Sequence, residues 1–216
     1  MMNDKIAYVK RLVRTGENQF IEFKKKVNHP EKIVREVCAF ANSEGGHLLI
    51  GVDDNGTISG LKYPEDEEFE MTKAINELCR PTVDFSVEIL KIKEDVEILH
   101  YQIKEGSSKP HFAFLEKHHR RGRCYVRVDD HSIQASYELR QILKNTGRES
   151  TPIPYEESTR ELFKHLEEHD NITLSQYLIL TGWDQKRASA KLIELTLSGL
   201  LRIVAKEGGD LFVPAK

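Results

Sequence analysis

Residues 39–60 constrain this chain more than any other stretch. Ahead of them, Glu31 to Ser43 sets Ile33, Val37 and Phe40 at helical spacing, with Val34, Cys38 and Ala41 alongside. That is the apolar stripe of a packed helix. Gly45-Gly46 supplies its stop. The run His47 to Val52 that follows is almost wholly apolar, as a central strand buried on both faces must be. Asp54-Asn55-Gly56 is a turn signal, after which Thr57 to Leu61 is expected to return antiparallel. A helix must therefore turn sharply into a buried strand at Asn42, Gly45 and Gly46. Glycine is needed there for positive φ and close backbone approach. Two uses stay open for these residues: fold architecture alone, or bare amides offered to a phosphate.

The flanking sequence reads as alternating helices and strands. Ile6 to Val13 is an amphipathic helix and Phe20 to Lys24 a short strand. Met71, Ile75 and Leu78 mark a helix over about Asp66 to Cys79, which Pro81 ends. Val83, Phe85, Val87 and Ile89 alternate with polar residues, giving a strand with one wet face. Val96 to Ile103 pairs with it, His111 to Leu115 and Cys124 to Val128 add strands, and Tyr137 to Asn145 is a closing helix. This is an α+β pattern: a mixed, mostly antiparallel sheet with packed helices.

Gly147 to Tyr155 interrupts it with two prolines, a glycine and two hydroxyl residues, so a linker is placed there. The division is a first domain over 1–148 and a second over 155–216. In the second, Ser158 to Glu161 and Thr173 to Gln176 are capping-box patterns. Gly182 ends one helix, Asp184 opens the next and Gly199 stops it. A hairpin closes the chain across Lys206-Glu207-Gly208-Gly209-Asp210, a tip that is not basic. Three helices and a hairpin follow the winged helix-turn-helix plan.

Composition narrows the function. With 216 residues and a net charge of −3, the chain is not basic overall, so nucleic-acid binding requires a local basic patch. No apolar run approaches the ~20 residues of a membrane helix. The first residues lack a signal-peptide core. Cys38, Cys79 and Cys124 are too few and too widely spaced for a disulfide framework. A cytoplasmic protein with no membrane partner is expected. One patch stands out. Lys117 to Arg127 holds Lys117, Arg120, Arg121, Arg123, Arg127 and two histidines, with no acid. Lys24-Lys25-Lys26 is a second cluster, and Lys109 is a further cation. Clustered cations release counterions from phosphate, unless they are only a solvated loop. In the second domain, Gln185, Lys186, Arg187, Ser189 and Lys191 are expected to face outward from the third helix, where such side chains read bases or grip phosphate.

The first part resembles the Schlafen-type AlbA_2 family. The resemblance rests on Glu17, Glu22-Phe23-Lys24, Ala39 to Gly46, Leu49 to Gly56, Ile58-Ser59-Gly60, Lys109-Pro110 and Tyr125 to Val128. It implies a DNA-binding domain of bacterial proteins labelled transcriptional regulators or ATP-binding proteins. It also implies an alternative. In some Schlafen-type proteins, carboxylates at the positions of Glu17, Glu22 and Asp53 form a metal-dependent ribonuclease site. Converging hard oxygens there would hold Mg²⁺ or Mn²⁺. The residues themselves are read equally well as a solvated strand face, an ion pair with Lys24, and a turn-opening Asp53. No Gly-x4-Gly-Lys-[Ser/Thr] is present, so ATP is not expected, nor any cofactor beyond the metal of a nuclease. The expectation is a DNA-binding regulator. The alternatives are a nuclease, or an adaptor that dimerises through the second domain.

Overall fold

A computed structural model of the chain describes residues 2–115, 120–147 and 157–215. It is an α+β protein that packs as two units, Met1–Gln134 and Ala135–Lys216.

The first unit is built on a four-stranded sheet of order β1-β2-β5-β4, where β1 is Ile21–Lys24, β2 Gly46–Ile50, β4 Phe85–Lys93 and β5 Val96–Ile103. β1 runs parallel to β2, and the other pairings are antiparallel. Helix α1 (Met2–Thr15) covers one face. Its Val9, Leu12 and Val13 join Phe23, Leu49, Leu90 and Ile98 there. Helices α2 (Pro30–Asn42) and α3 (Pro64–Leu78) lie on the other face, against Leu48, Ile50, Leu99 and Tyr101. Burial on both faces is why β2 reads as one apolar run. Around this sheet, β3 (Cys79–Arg80) pairs with β6 (Phe112–Ala113), and β7 (Tyr125–Val128) pairs with β8 (His131–Gln134).

The turn from α2 into β2 has the required geometry. Gly45 has a φ of +78°, and a Cβ there would lie 2.7 Å from the Ile103 carbonyl oxygen. Gly46 lies so close to Phe40 that a Cβ would come within 2.3 Å of its ring. The Gly45 amide donates to the Phe40 carbonyl, so it closes the helix and is not open to a phosphate. Asn42 locks the corner. Its Nδ2 donates to the carbonyls of His111 and Tyr125, at 2.9 and 2.8 Å, and its Oδ1 accepts from the His111 amide at 2.7 Å.

Two expectations change, and β8 is a strand the sequence does not anticipate. Thr57 to Leu61 forms only isolated bridges, Val52 to Ile58 and Leu61 to Glu97, and no strand. β8 follows a left-handed Asp129 (φ 52°) that closes a tight hairpin; its polar sequence carries no alternation to announce it. Helix α4 (Tyr137–Asn145), expected to close the first part, belongs to the second unit and packs on α7. The linker expected over 147–155 falls almost entirely outside the described residues.

The second unit continues with α5 (Glu157–His169), α6 (Leu174–Thr181), α7 (Gln185–Leu197) and the antiparallel pair β9 (Leu201–Val204) and β10 (Leu211–Pro214). Leu162, Leu166, Tyr177, Leu192, Leu195 and Phe212 form its core. Thr173 and Gln176 make a full capping box, Gly182 ends α6 in the left-handed region, and Asp184 caps α7. Ser158 lies inside α5 and does not open it. No helix among the described residues is long and apolar enough to cross a membrane.

Candidate nucleic-acid interface

The arginine-rich segment leaves β6 and enters β7. Arg123 pairs through its backbone with Ala113, and Ala113 pairs on its other side with Cys79. A short ribbon results, with Arg80 opposite Phe112. Gly122 sits directly on the aromatic side of this ribbon; a Cβ would lie 2.7 Å from both Phe112 Cβ and Phe114 Cε2. That approach holds Arg120, Arg121 and Arg123 at the surface, all three exposed. Arg80 is exposed too, its guanidinium 5.1 Å from the centre of the Phe114 ring. Reading the sequence missed Arg80, because nothing local marks it. Only the register of β3 on β6 brings it to this loop. Lys117 lies outside the described residues.

The other expected cations behave differently. Lys24 is paired with Glu22, Lys25 with Asp53 at 3.3 Å, and Lys109 with Glu105 at 2.7 Å. Lys109 also donates to the Ser43 carbonyl at 2.7 Å. Each thus has a carboxylate partner of its own. Arg127 is a correction of another kind: its side chain is fully buried. Alternation along β7 points it at α2, where it meets Glu22 at 2.9 Å and Glu36 at 3.1 Å. Its second terminal nitrogen donates to the Asn18 carbonyl, and the guanidinium stacks on Phe40 at 4.7 Å.

The three carboxylates do not fit a shared metal. Glu17 accepts from the Phe23 amide at 2.8 Å. Glu22 is turned into the interior with one oxygen on Lys24 and the other on Arg127. Asp53 stands beyond the end of β2, held by Lys25 and Ser59. Among the described residues, no group of three or more His, Cys, Asp or Glu side chains is placed to hold a metal ion. Burial raises the pKa of Glu22 above the usual carboxylate range, and Glu36 adds to the rise. Lys24 and Arg127 oppose it. Glu17 also lines an open depression with Asp129 and Asp130, a setting that repels anions.

On α7 the expectation divides. Gln185, Lys186 and Arg187 are exposed. Ser189 and Lys191 are buried, Ser189 on the side where α4 packs. Ser189 donates to Glu138 of α4, and Lys191 pairs with Glu194 at 3.0 Å. The Arg187 guanidinium lies 3.8 Å from the centre of the Trp183 ring.

The first unit is thus an α+β sheet domain with a glycine-locked helix-to-strand turn and an arginine loop at its edge. Residues 17–136 match the family described as Schlafen, AlbA_2, and the chain belongs to that family. Membership points to a nucleic-acid-related function. A crystal structure of the DIP2311 protein from Corynebacterium diphtheriae is similar at 14% sequence identity and a TM-score of 0.44, over 91% of this chain. The chain spans 34% of that protein.

Proposed function

We propose that this protein binds nucleic acid, DNA foremost, through the β6–β7 arginine loop, and acts as a transcriptional regulator. One observation carries the reading. Arg120, Arg121 and Arg123 are exposed beside a ribbon that also carries exposed Arg80, whereas Lys24, Lys25 and Lys109 each have a carboxylate partner. Four guanidiniums on one short ribbon suit a run of phosphates, which Arg recognises in a bidentate manner. The α6-turn-α7 arrangement with β9–β10 is read here as a winged helix. The exposed start of α7, with Gln185, Lys186 and Arg187, would add groove contacts.

The test is a mobility shift on duplex DNA at stepped salt concentrations. The expected result is an affinity that falls steeply with salt. Replacing Arg120, Arg121 and Arg123 together with Ala should lower the log–log salt slope by about 3. Binding that is indifferent to salt and to the triple substitution overturns the proposal.

A second reading, dimerisation through the second unit, has its own observation. Ile179 on α6 is 84% exposed, next to Leu180 at 36%. A surface of that kind marks a protein contact when it is contiguous. A stable dimer by light scattering that Ile179→Glu disperses supports this reading; a monomer at all concentrations ends it.

A further inference from the structure

On the sheet face covered by α1, Tyr8, His47 and His100 form a chain of side chains well separated in sequence from the arginine loop. The register of β2 on β5 sets Leu49 opposite His100 and His47 opposite Gln102. The two imidazoles are therefore diagonal neighbours on one face. His47 Nδ1 lies 2.9 Å from His100 Nε2, and the ring centroids are 5.1 Å apart. The remaining nitrogen of His47, Nε2, lies 3.0 Å from the Tyr8 hydroxyl. All three side chains are partly open to solvent.

Two tautomer sets satisfy this chain. In one, a proton sits between the facing nitrogens. In the other, His47 carries its proton on Nε2 and donates it to the Tyr8 oxygen, while His100 carries its proton on Nδ1. Both facing nitrogens then present lone pairs to each other, an arrangement that a bound cation relieves. Two imidazole nitrogens on a tetrahedral Zn²⁺ stand roughly 3.3 Å apart. The pair therefore needs to open by only a few tenths of an ångström. In the second set the Tyr8 oxygen accepts from His47 Nε2–H and so supports the ligating tautomer from outside, the usual service of an outer partner to a metal-bound imidazole. From these contacts we infer that His47 Nδ1 and His100 Nε2 form a two-histidine site for a borderline divalent cation of the Zn²⁺ and Ni²⁺ class, completed by solvent. The ion ties β2 to β5 beneath α1.

Burial favours the neutral ligands. It lowers the His47 pKa, and it lowers that of His100 to about 4 with His47 adding to the effect. Among the described residues, the surrounding charges are one carboxylate and two cations. Glu88 stands opposite His100 in the β4–β5 register and is paired with Lys5, while Arg11 lies 5.8 Å from the centre of the Tyr8 ring.

The experiment is calorimetric titration of the full chain with ZnCl₂ at neutral pH. The expected result is saturable binding of one equivalent with a rise in unfolding temperature. His47→Gln and His100→Gln should each weaken binding at least tenfold, and Tyr8→Phe by about tenfold. Substituting His165 and His169 together is the control. Those rings also touch, 4.4 Å apart on α5, and their loss should leave the binding unchanged. Long-range proton–nitrogen spectra of the wild type keep the test independent of how the variants fold: zinc should move His47 Nδ1 and His100 Nε2. The inference is overturned by no saturable binding up to about 1 mM, by binding that survives both substitutions, or by shifts confined to other histidines.

Discussion

Arg127 and Glu22 stand 105 positions apart in the chain and meet in its interior, Nη1 to Oε2 at 2.9 Å. The same guanidinium reaches Glu36 and the Asn18 carbonyl and stacks on Phe40. One side chain thus joins β1, α2 and β7. An arginine suits this place because its planar fork reaches several acceptors at once and stays charged when buried.

Among the described residues, removing Arg127 leaves two buried carboxylates each with one oxygen unpaired, Glu22 held only by Lys24 and Glu36 only by Arg35. Arg127→Ala should cost about 3–5 kcal/mol. Arg121→Ala, on the exposed loop, should stay within about 0.5 kcal/mol. Urea unfolding of the two variants checks the contrast. Equal costs would remove Arg127 from the interior network.

Glu22 makes stability depend on pH with a definite sign. Its folded pKa is raised, mainly by burial, so the folded state holds this proton more tightly than the unfolded chain does. That contribution is fully present below the ordinary carboxylate range and is lost as pH rises through the raised folded value. Relative to Glu22→Gln, the wild type should lose stability over that window. Unfolding curves of both proteins from pH 4 to 8 give the comparison. A difference that grows in the opposite direction refutes it.

Asn42 makes three hydrogen bonds with backbone groups of residues 111 and 125. Asn42→Ala should cost about 3 kcal/mol, since buried backbone partners are left unsatisfied. Asn42→Asp should not rescue it, because a carboxylate cannot donate to the two carbonyls. Hydrogen exchange at the His111 amide would accelerate in Asn42→Ala, which removes its acceptor, and less in Asn42→Asp, which keeps one.

Gly46→Ala inserts a Cβ against Phe40 and the Phe20 carbonyl. Overpacking of this kind should cost about 1–3 kcal/mol. Phe40→Leu in the same chain should recover part of it, read as a higher unfolding temperature than that of the single variant.

Arg80 supplies a functional test that no sequence motif suggests. If the β3–β6 ribbon presents one phosphate-binding surface, Arg80→Ala should weaken DNA binding and lower the salt slope by about 1. An unchanged slope would separate Arg80 from the interface.

Much of the fold was legible locally. The stripe from Ile33 to Ala41, the apolar run of β2, the Thr173–Gln176 capping box and the Gly182 stop are set by neighbours within a turn or two, so they read directly from residue order. The family motif was equally legible, because Asn42, Gly45 and Gly46 answer a backbone demand made within that segment. The charges were not. Arg127 and Arg121 look alike in the sequence, yet one is interior and the other exposed. Lys191 and Lys186 share a helix, yet one is buried and the other faces solvent. Residue order by itself determined most of the α+β elements, the Thr173 and Asp184 caps, and the family they belong to. Only tertiary structure decided which cations face water, which carboxylates they cancel, and which distant side chains meet. Those outcomes depend on strand register and helix packing between segments tens of residues apart, and no local pattern encodes them.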